Sequence, residues 1–228
     1  MRARRVGAAV AAVMVAVVAG GLGGWGLHHV TGAGSARPGS SGGTGTPNVQ
    51  PQNPQTLPAV PQRRRVVLAG DSLLYGSGLE PPQDLPSALA ALRPELDVID
   101  TAVGGSGSAD VLSRTRQLRL LHADEAVLWI GGQDADDKVP LAAYRANLEQ
   151  IIAALSPARI VLVTPVADYA TSPSGFAPYA AAVRDIAAAQ HLQLVDLGSL
   201  PRGQYQADGQ HLDAATDAAV ARQISAAL

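Results

Sequence analysis

Hydrophobic positions along the chain fall into three regimes. Residues Val6 to Leu27 carry no charge, and ahead of them the tip Met1-Arg2-Ala3-Arg4-Arg5 holds three arginines. A helix of that length rises about 33 Å, enough for the hydrocarbon core of a bilayer. No Lys or Arg follows the run until Arg37, so the positive-inside rule puts the N-terminus in the cytoplasm and the remainder outside. Two readings fit this segment. Its most apolar part, Val6 to Ala19, suits the core of a signal peptide, with Gly34-Ser35-Ala36 as a small-residue cleavage site. The continuation to Leu27 brings it to spanning length and sets Trp25 at interfacial depth, which favours a retained anchor. Residues 1–30 are therefore expected to be a cytoplasmic basic tip followed by a transmembrane or signal helix.

From Thr31 to Gln62 large apolar residues nearly vanish in favour of Gly, Ser, Thr, Pro, Gln and Asn. Such a stretch buries too little surface to offset chain ordering, so residues 31–62 read as a disordered linker, extended in its proline-rich second half. Arg63-Arg64-Arg65 then reads as a solvated strand start.

In residues 63–228 short apolar runs alternate with alanine-rich stretches of helical period. The runs are Val66–Ala69, Val98–Ile99 with its flanks, Ala126–Ile130, Ile160–Val163 and Leu192–Val195. Between them lie helix candidates at Leu85–Leu92 with Pro86 in its first turn, Ala109–Leu121 after a Ser108 cap, Leu141–Leu155, Pro178–Gln190, and Ala214–Leu228 after Asp213. Four or five unbroken apolar residues are the signature of a strand buried on both faces. Five strands each followed by a helix predict an α/β domain, a three-layer α/β/α sandwich on a five-stranded parallel sheet.

Composition narrows the chemistry. The 228 residues hold 17 basic and 19 acidic side chains, net −2, so there is no sustained positive field and nucleic acid is not an expected partner. With no cysteine, disulfides, thiolate nucleophiles and cysteine-based metal sites are excluded together. The mean hydropathy of +0.11 owes much to the first thirty residues.

Ligands of an open parallel sheet bind outside the carboxyl ends of its strands, so the residues following each run carry the functional signal. After the first comes Gly70-Asp71-Ser72-Leu73, ordinary turn residues that also present a serine hydroxyl, a weak nucleophile unless a base adjoins it. After the second comes Gly104-Gly105-Ser106-Gly107, whose backbone N–H groups suit an oxyanion or a phosphate. A dinucleotide site is disfavoured: the third small position is Asp110, no Walker-type lysine motif occurs, and the only lysine is Lys138. After the third comes Gly131-Gly132-Gln133-Asp134, where a side-chain amide can donate into the same cleft. Asp136 and Asp137 read as a solvated acidic loop, since EF-hand spacing and its terminal Glu are missing. After the fifth comes Asp208-Gly209-Gln210-His211, in which the carboxylate can fold back onto one imidazole nitrogen and leave the other for a nucleophile. His28 and His29 adjoin the membrane segment, and His122 and His191 fall at helix ends.

Taken in order, Gly70-Asp71-Ser72-Leu73, Gly105, Gly131-Gly132-Gln133-Asp134 and Asp208-x-x-His211 resemble the blocks of the SGNH/GDSL hydrolase family of serine esterases and lipases, over the span from about Val66 to the end. The resemblance implies a flavodoxin-like fold. It implies Ser72 as nucleophile, His211 as general base and acid, and Asp208 as the residue that orients it. It further implies an oxyanion hole from the N–H groups of Ser72 and Gly105 plus the amide of Gln133, with no metal or organic cofactor. Two positions depart from the family pattern: Gln133 replaces an asparagine and adds a methylene, and Leu212 stands where proline is frequent.

The expected function is an extracytoplasmic serine esterase acting on small acyl or acetyl esters, with an envelope glycan or lipid carrying the ester. The linker lets the domain sweep a layer outside the membrane, to which residues 6–27 would hold it. Two alternatives share the fold: a glycan O-acyltransferase, and a binding module weakened through Gln133. Few aromatics and no long apolar lid disfavour long-chain lipase activity. The polar loop from Asp168 to Gly175, with Tyr169, is a candidate for the substrate entrance, and equally for a surface turn.

Overall fold

The computed structural model describes residues 62–166, 175–199 and 204–228. The membrane or signal segment, nearly all of the linker, and the candidate entrance loop apart from Gly175 lie outside the described residues. Among those described, no helix is long and apolar enough to cross a membrane.

The elements follow in the order β1 (Arg64–Gly70), α1 (Ser72–Tyr75), α2 (Leu85–Leu92), β2 (Leu96–Asp100), α3 (Ser108–Arg119), β3 (Glu125–Trp129), α4 (Gly132–Asp136), α5 (Leu141–Leu155), β4 (Arg159–Val163), α6 (Ala177–Gln190), β5 (Gln193–Val195), a 3-10 turn (Leu197–Ser199) and α7 (Ala214–Ala227). All five strands are parallel, in the order β2-β1-β3-β4-β5. The connection from β1 to β2 runs toward one edge, and the later ones run toward the other. Right-handed crossovers therefore send α2 to one face and α3, α5 and α6 to the opposite face. The packing agrees: α2 lies against α7, while α3 packs on α5 and α5 on α6.

The unbroken runs become the central strands. Val66, Val67, Leu68 and Ala69 of β1 and the whole of β3 are buried, whereas the edge strands β2 and β5 are partly exposed. Asp84 caps α2 by accepting from Ser87 N at 2.8 Å, and Asp213 caps α7 by accepting from Thr216 N at 2.8 Å. The expected Ser108 cap needs correction. Gly107 is the cap residue, and Ser108 begins α3 with its polar groups turned toward Asp134. The arginines at the start of β1 also do more than face water. Arg64 and Arg159 converge on the buried carboxylate of Glu125, Arg65 pairs with Asp97, and Arg159 also reaches the carbonyls of Ala227 and Leu228. This network closes the end of the sheet opposite the functional residues. His191 ends α6 in the left-handed region at φ 54°, in keeping with a helix-end role.

Candidate active site

Strand order places a topological switch between β1 and β3, whose outgoing chains diverge to opposite faces and leave a crevice at their carboxyl ends. Ser72 follows β1 and Gln133 follows β3, so the two stand on either side of that crevice. Both line one small cleft of about 50 Å³, together with Asp71, Asp136, Gln210 and His211.

The serine's turn is built locally. Gly70 packs so closely on β3 that a Cβ there would stand 2.2 Å from the Trp129 carbonyl oxygen. Close strand approach, rather than turn geometry, is thus what requires this glycine. Asp71 is extended at φ −106° and caps α1, accepting from Leu73 N at 3.0 Å. Ser72 is the first residue of that four-residue helix and is half-buried.

The glycine turn after β2 reaches the serine because the pairing with β1 continues past the strand, with Thr101 N donating to Leu68 O and Val103 N to Gly70 O. A Cβ on Gly104 would lie 3.8 Å from Ser72 Cβ, and one on Gly105 would lie 4.0 Å from Gln133 Oε1. Gly105 is left-handed at φ 74°. Among the described residues, the backbone N–H groups of Ser72 and Gly105 have no protein acceptor. Ser72 and Gln133 therefore border one small space with the Gly105 turn beside it, and the longer glutamine side chain still reaches the cleft wall.

His211 comes from the loop between β5 and α7. Asp208 accepts from the N–H groups of Gln210 (2.9 Å) and His211 (3.1 Å) through one oxygen, and meets His211 Nδ1 at 2.6 Å through the other. Those donors, the Gln210 amide foremost, hold the Asp208 carboxyl down at about 2. With Nδ1 committed, the second ring nitrogen is the one available to a hydroxyl in the cleft. The structure thus brings Ser72, Gln133 and His211 to one cleft, with Gly105 at its margin and Asp208 behind the imidazole.

Residues around these complete the site, and Gln206 among them was not singled out by the sequence. Gln206 Nε2 donates to Ser77 O and Leu212 O, both at 2.8 Å, tying the histidine loop to the end of the serine's helix. Leu212 itself is buried and bridges to Tyr205, which fixes the loop without the family's proline. Asp134, which closes the Gly131-Gly132-Gln133-Asp134 block, is buried and accepts from Ser108 N (2.8 Å) and Ser108 Oγ, while Asn147 Nδ2 donates to the same hydroxyl at 3.0 Å. It binds the start of α3 to α4. Asp71, read as a turn residue, is also buried, and desolvation pushes its carboxyl up to about 6. Asp136 is exposed as expected but belongs to the cleft wall.

Gly131 explains the position of the amide. Its φ is +128°, and a Cβ would stand 2.8 Å from both Pro165 Cγ and the Tyr144 hydroxyl, which donates to Ile130 O. Only glycine lets β3 end in that turn and deliver Gln133 to the crevice. Among the described residues no group of three or more His, Asp or Glu side chains forms a metal site.

Residues 68–219 match the GDSL-like Lipase/Acylhydrolase family. Among solved structures, the lipase/acylhydrolase from Enterococcus faecalis is 25% identical with a TM-score of 0.64, over 72% of this chain and 94% of that one. TesA gives 20% identity and a TM-score of 0.64, over 72% and 98%. The esterase EstA from Pseudoalteromonas sp., in a structure inhibited by monoethylphosphonate, gives 16% and 0.61, over 72% and 96%. No curated protein matches the chain.

Proposed function

The chain belongs to the GDSL-like lipase/acylhydrolase family, whose members hydrolyse esters, and from that premise we propose that it is an extracytoplasmic serine esterase for small acyl groups. Ser72 is the nucleophile and His211 the base. Ser72 Oγ attacks the ester carbonyl as His211 takes its proton, and the N–H groups of Ser72 and Gly105 with the Gln133 amide receive the oxyanion. His211 returns the proton to the departing alcohol, and water then releases the acid from the acyl-enzyme by the same steps. Asp208 keeps the imidazole in the tautomer that serves the serine. The carrying observation is the convergence of Ser72, Gln133 and an Asp208-bound His211 on one cleft at the sheet's switch point. A cleft of about 50 Å³, far below the several hundred of a pocket for a large ligand, favours acetyl-sized groups.

The membrane location rests on the uncharged run behind three arginines. Placed outside, the domain would meet esters of envelope glycans or lipids. The full-length chain in detergent should hydrolyse p-nitrophenyl acetate faster than p-nitrophenyl butyrate and take a fluorophosphonate label. Ser72→Ala should abolish both; turnover equal to wild type, or labelling elsewhere, overturns the assignment.

A further inference from the structure

A second cavity, of about 360 Å³, adjoins the glycine turn beside Ser72. Its walls are the turn 103–106 and three residues of α3, Asp110, Ser113 and Arg114. Arg114 is held in place by acceptors that carry no charge: Thr101 O at 3.1 Å, Ser106 Oγ at 3.1 Å and, more weakly, Asp110 O at 3.4 Å. Asp110, one turn earlier on the same helix, is the natural ion-pair partner at that spacing. Its carboxylate instead turns back to accept from Gly107 N at 3.0 Å. Among the described residues no ion pair uses Arg114, nor Arg116 or Arg119 on the same helix, so α3 carries three arginines against a single aspartate.

A guanidinium has five N–H donors, and three are engaged. Two donors are left over on a side chain that has no ion pair and lines a cavity shared with Asp110 and the proposed oxyanion turn. The donors of a guanidinium plane suit the oxygens of a carboxylate or phosphate. Ser113 and Ser106 add hydroxyls to the same walls. We infer that this cavity is a specificity subsite in which Arg114 binds an anionic substituent, carboxylate or phosphate, carried by the ester substrate. The inference rests on the Ser72 esterase reading and adds the charge of its substrate.

The test compares charged and neutral esters on the full-length protein. With carboxylate on the acyl group, p-nitrophenyl glutarate is set against p-nitrophenyl butyrate; with carboxylate on the alcohol, 4-carboxyphenyl acetate is set against phenyl acetate. For one of the two pairs, wild type should favour the anionic member in kcat/KM, and about 0.5 M NaCl should shrink that preference. Arg114→Met should lower the charged-to-neutral ratio about tenfold or more, and Arg114→Lys should restore part of it. Absence of any anionic preference in both pairs, a preference indifferent to salt, or a ratio unchanged in Arg114→Met overturns the inference. A fall of both rates together, with the ratio kept, also overturns it, because Arg114 would then only brace Thr101 and Ser106. Activity that survives Ser72→Ala would instead refute the serine assignment, which the ratio does not measure.

Discussion

Asp217 lies in the first turn of α7 and is almost wholly buried, 1% exposed. The nearby Leu85 N–H favours its charged form, while Oδ2 has no hydrogen-bond partner. Oδ2 packs at the left-handed cap of α1: a Cβ on Gly76 would stand 2.9 Å from it and 2.9 Å from Asp84 Cβ. Burial first, then the nearby charges of Asp84 and Asp213, pushes the Asp217 carboxyl from 3.8 up to about 7. The neutral acid is therefore what the fold accommodates. In the unfolded chain the group ionises near pH 4, so between about pH 4 and 7 the folded state binds the extra proton and stability falls as pH rises. A roughly thousandfold difference in proton affinity corresponds to about 4 kcal/mol, fully expressed above pH 7.

Asp217→Asn keeps a carbonyl oxygen and the side chain's size and removes the ionisation. Urea unfolding should show a gain below about 1 kcal/mol at pH 4.5 that grows to about 4 kcal/mol at pH 8. The corresponding rise in Tm at pH 8 is about 8–16 °C for a domain of this size. A gain equal at both pH values, or a variant less stable than wild type at pH 8, would refute the reasoning, since either outcome means the ionised carboxylate is not what costs stability.

Other perturbations separate the parts of the site and the fold. Gln133→Ala should lower kcat for p-nitrophenyl acetate by about 10²–10³ with KM little changed, as measured by steady-state kinetics. Asp208→Asn should lower kcat by about 10⁴ by releasing the imidazole tautomer, without a change in Tm beyond a degree or two. Gln206→Ala removes the tie between the histidine loop and Ser77, so fluorophosphonate labelling of Ser72 should slow while circular dichroism keeps its shape. Gly131→Ala forces a Cβ into the Tyr144 hydroxyl at a positive φ and should cost about 3 kcal/mol or more in chemical denaturation.

The fold was legible where a run of residues does one thing. Val66–Ala69 and Ala126–Ile130 are unbroken because they are buried on both faces, and α2 and α5 begin and end where the periodicity put them. Signals carried by one or two residues were harder to read. The short helices α1 and α4 fall inside the glycine-bearing motifs, and four or five residues are too few to show a helical period. Asp134 and Asp136 stand two apart in sequence, yet one is buried against Ser108 and the other is exposed. Only the tertiary approach of α3 distinguishes them. Gln206 could not be recognised for the same reason, since its partner Ser77 lies 129 positions away. The motif residues themselves were legible because each follows its strand, and the sheet order then decides which of them meet.

The carboxylates around the crevice set activity against stability. Asp71 caps the serine's helix, Asp134 fastens α3 to α4, and Asp217 sits against the end of α1. All three are buried, and burial raises each one's proton affinity, Asp71 to about 6 and Asp217 to about 7. Each is best tolerated neutral, so the walls of the site weaken as pH climbs from about 4 to about 7. Asp208 and Asp196 act in the opposite sense: both are held down at about 2, and what they contribute is lost only below about pH 4. Activity remaining after long incubation should therefore fall relative to the initial rate as pH climbs through the range in which Tm declines, which places the long-incubation optimum at lower pH than the initial-rate optimum. Asp217→Asn should move the long-incubation optimum upward and leave the initial-rate profile where it was. If both profiles shift together, Asp217 acts on the chemistry of the cleft as well as on the stability of its walls.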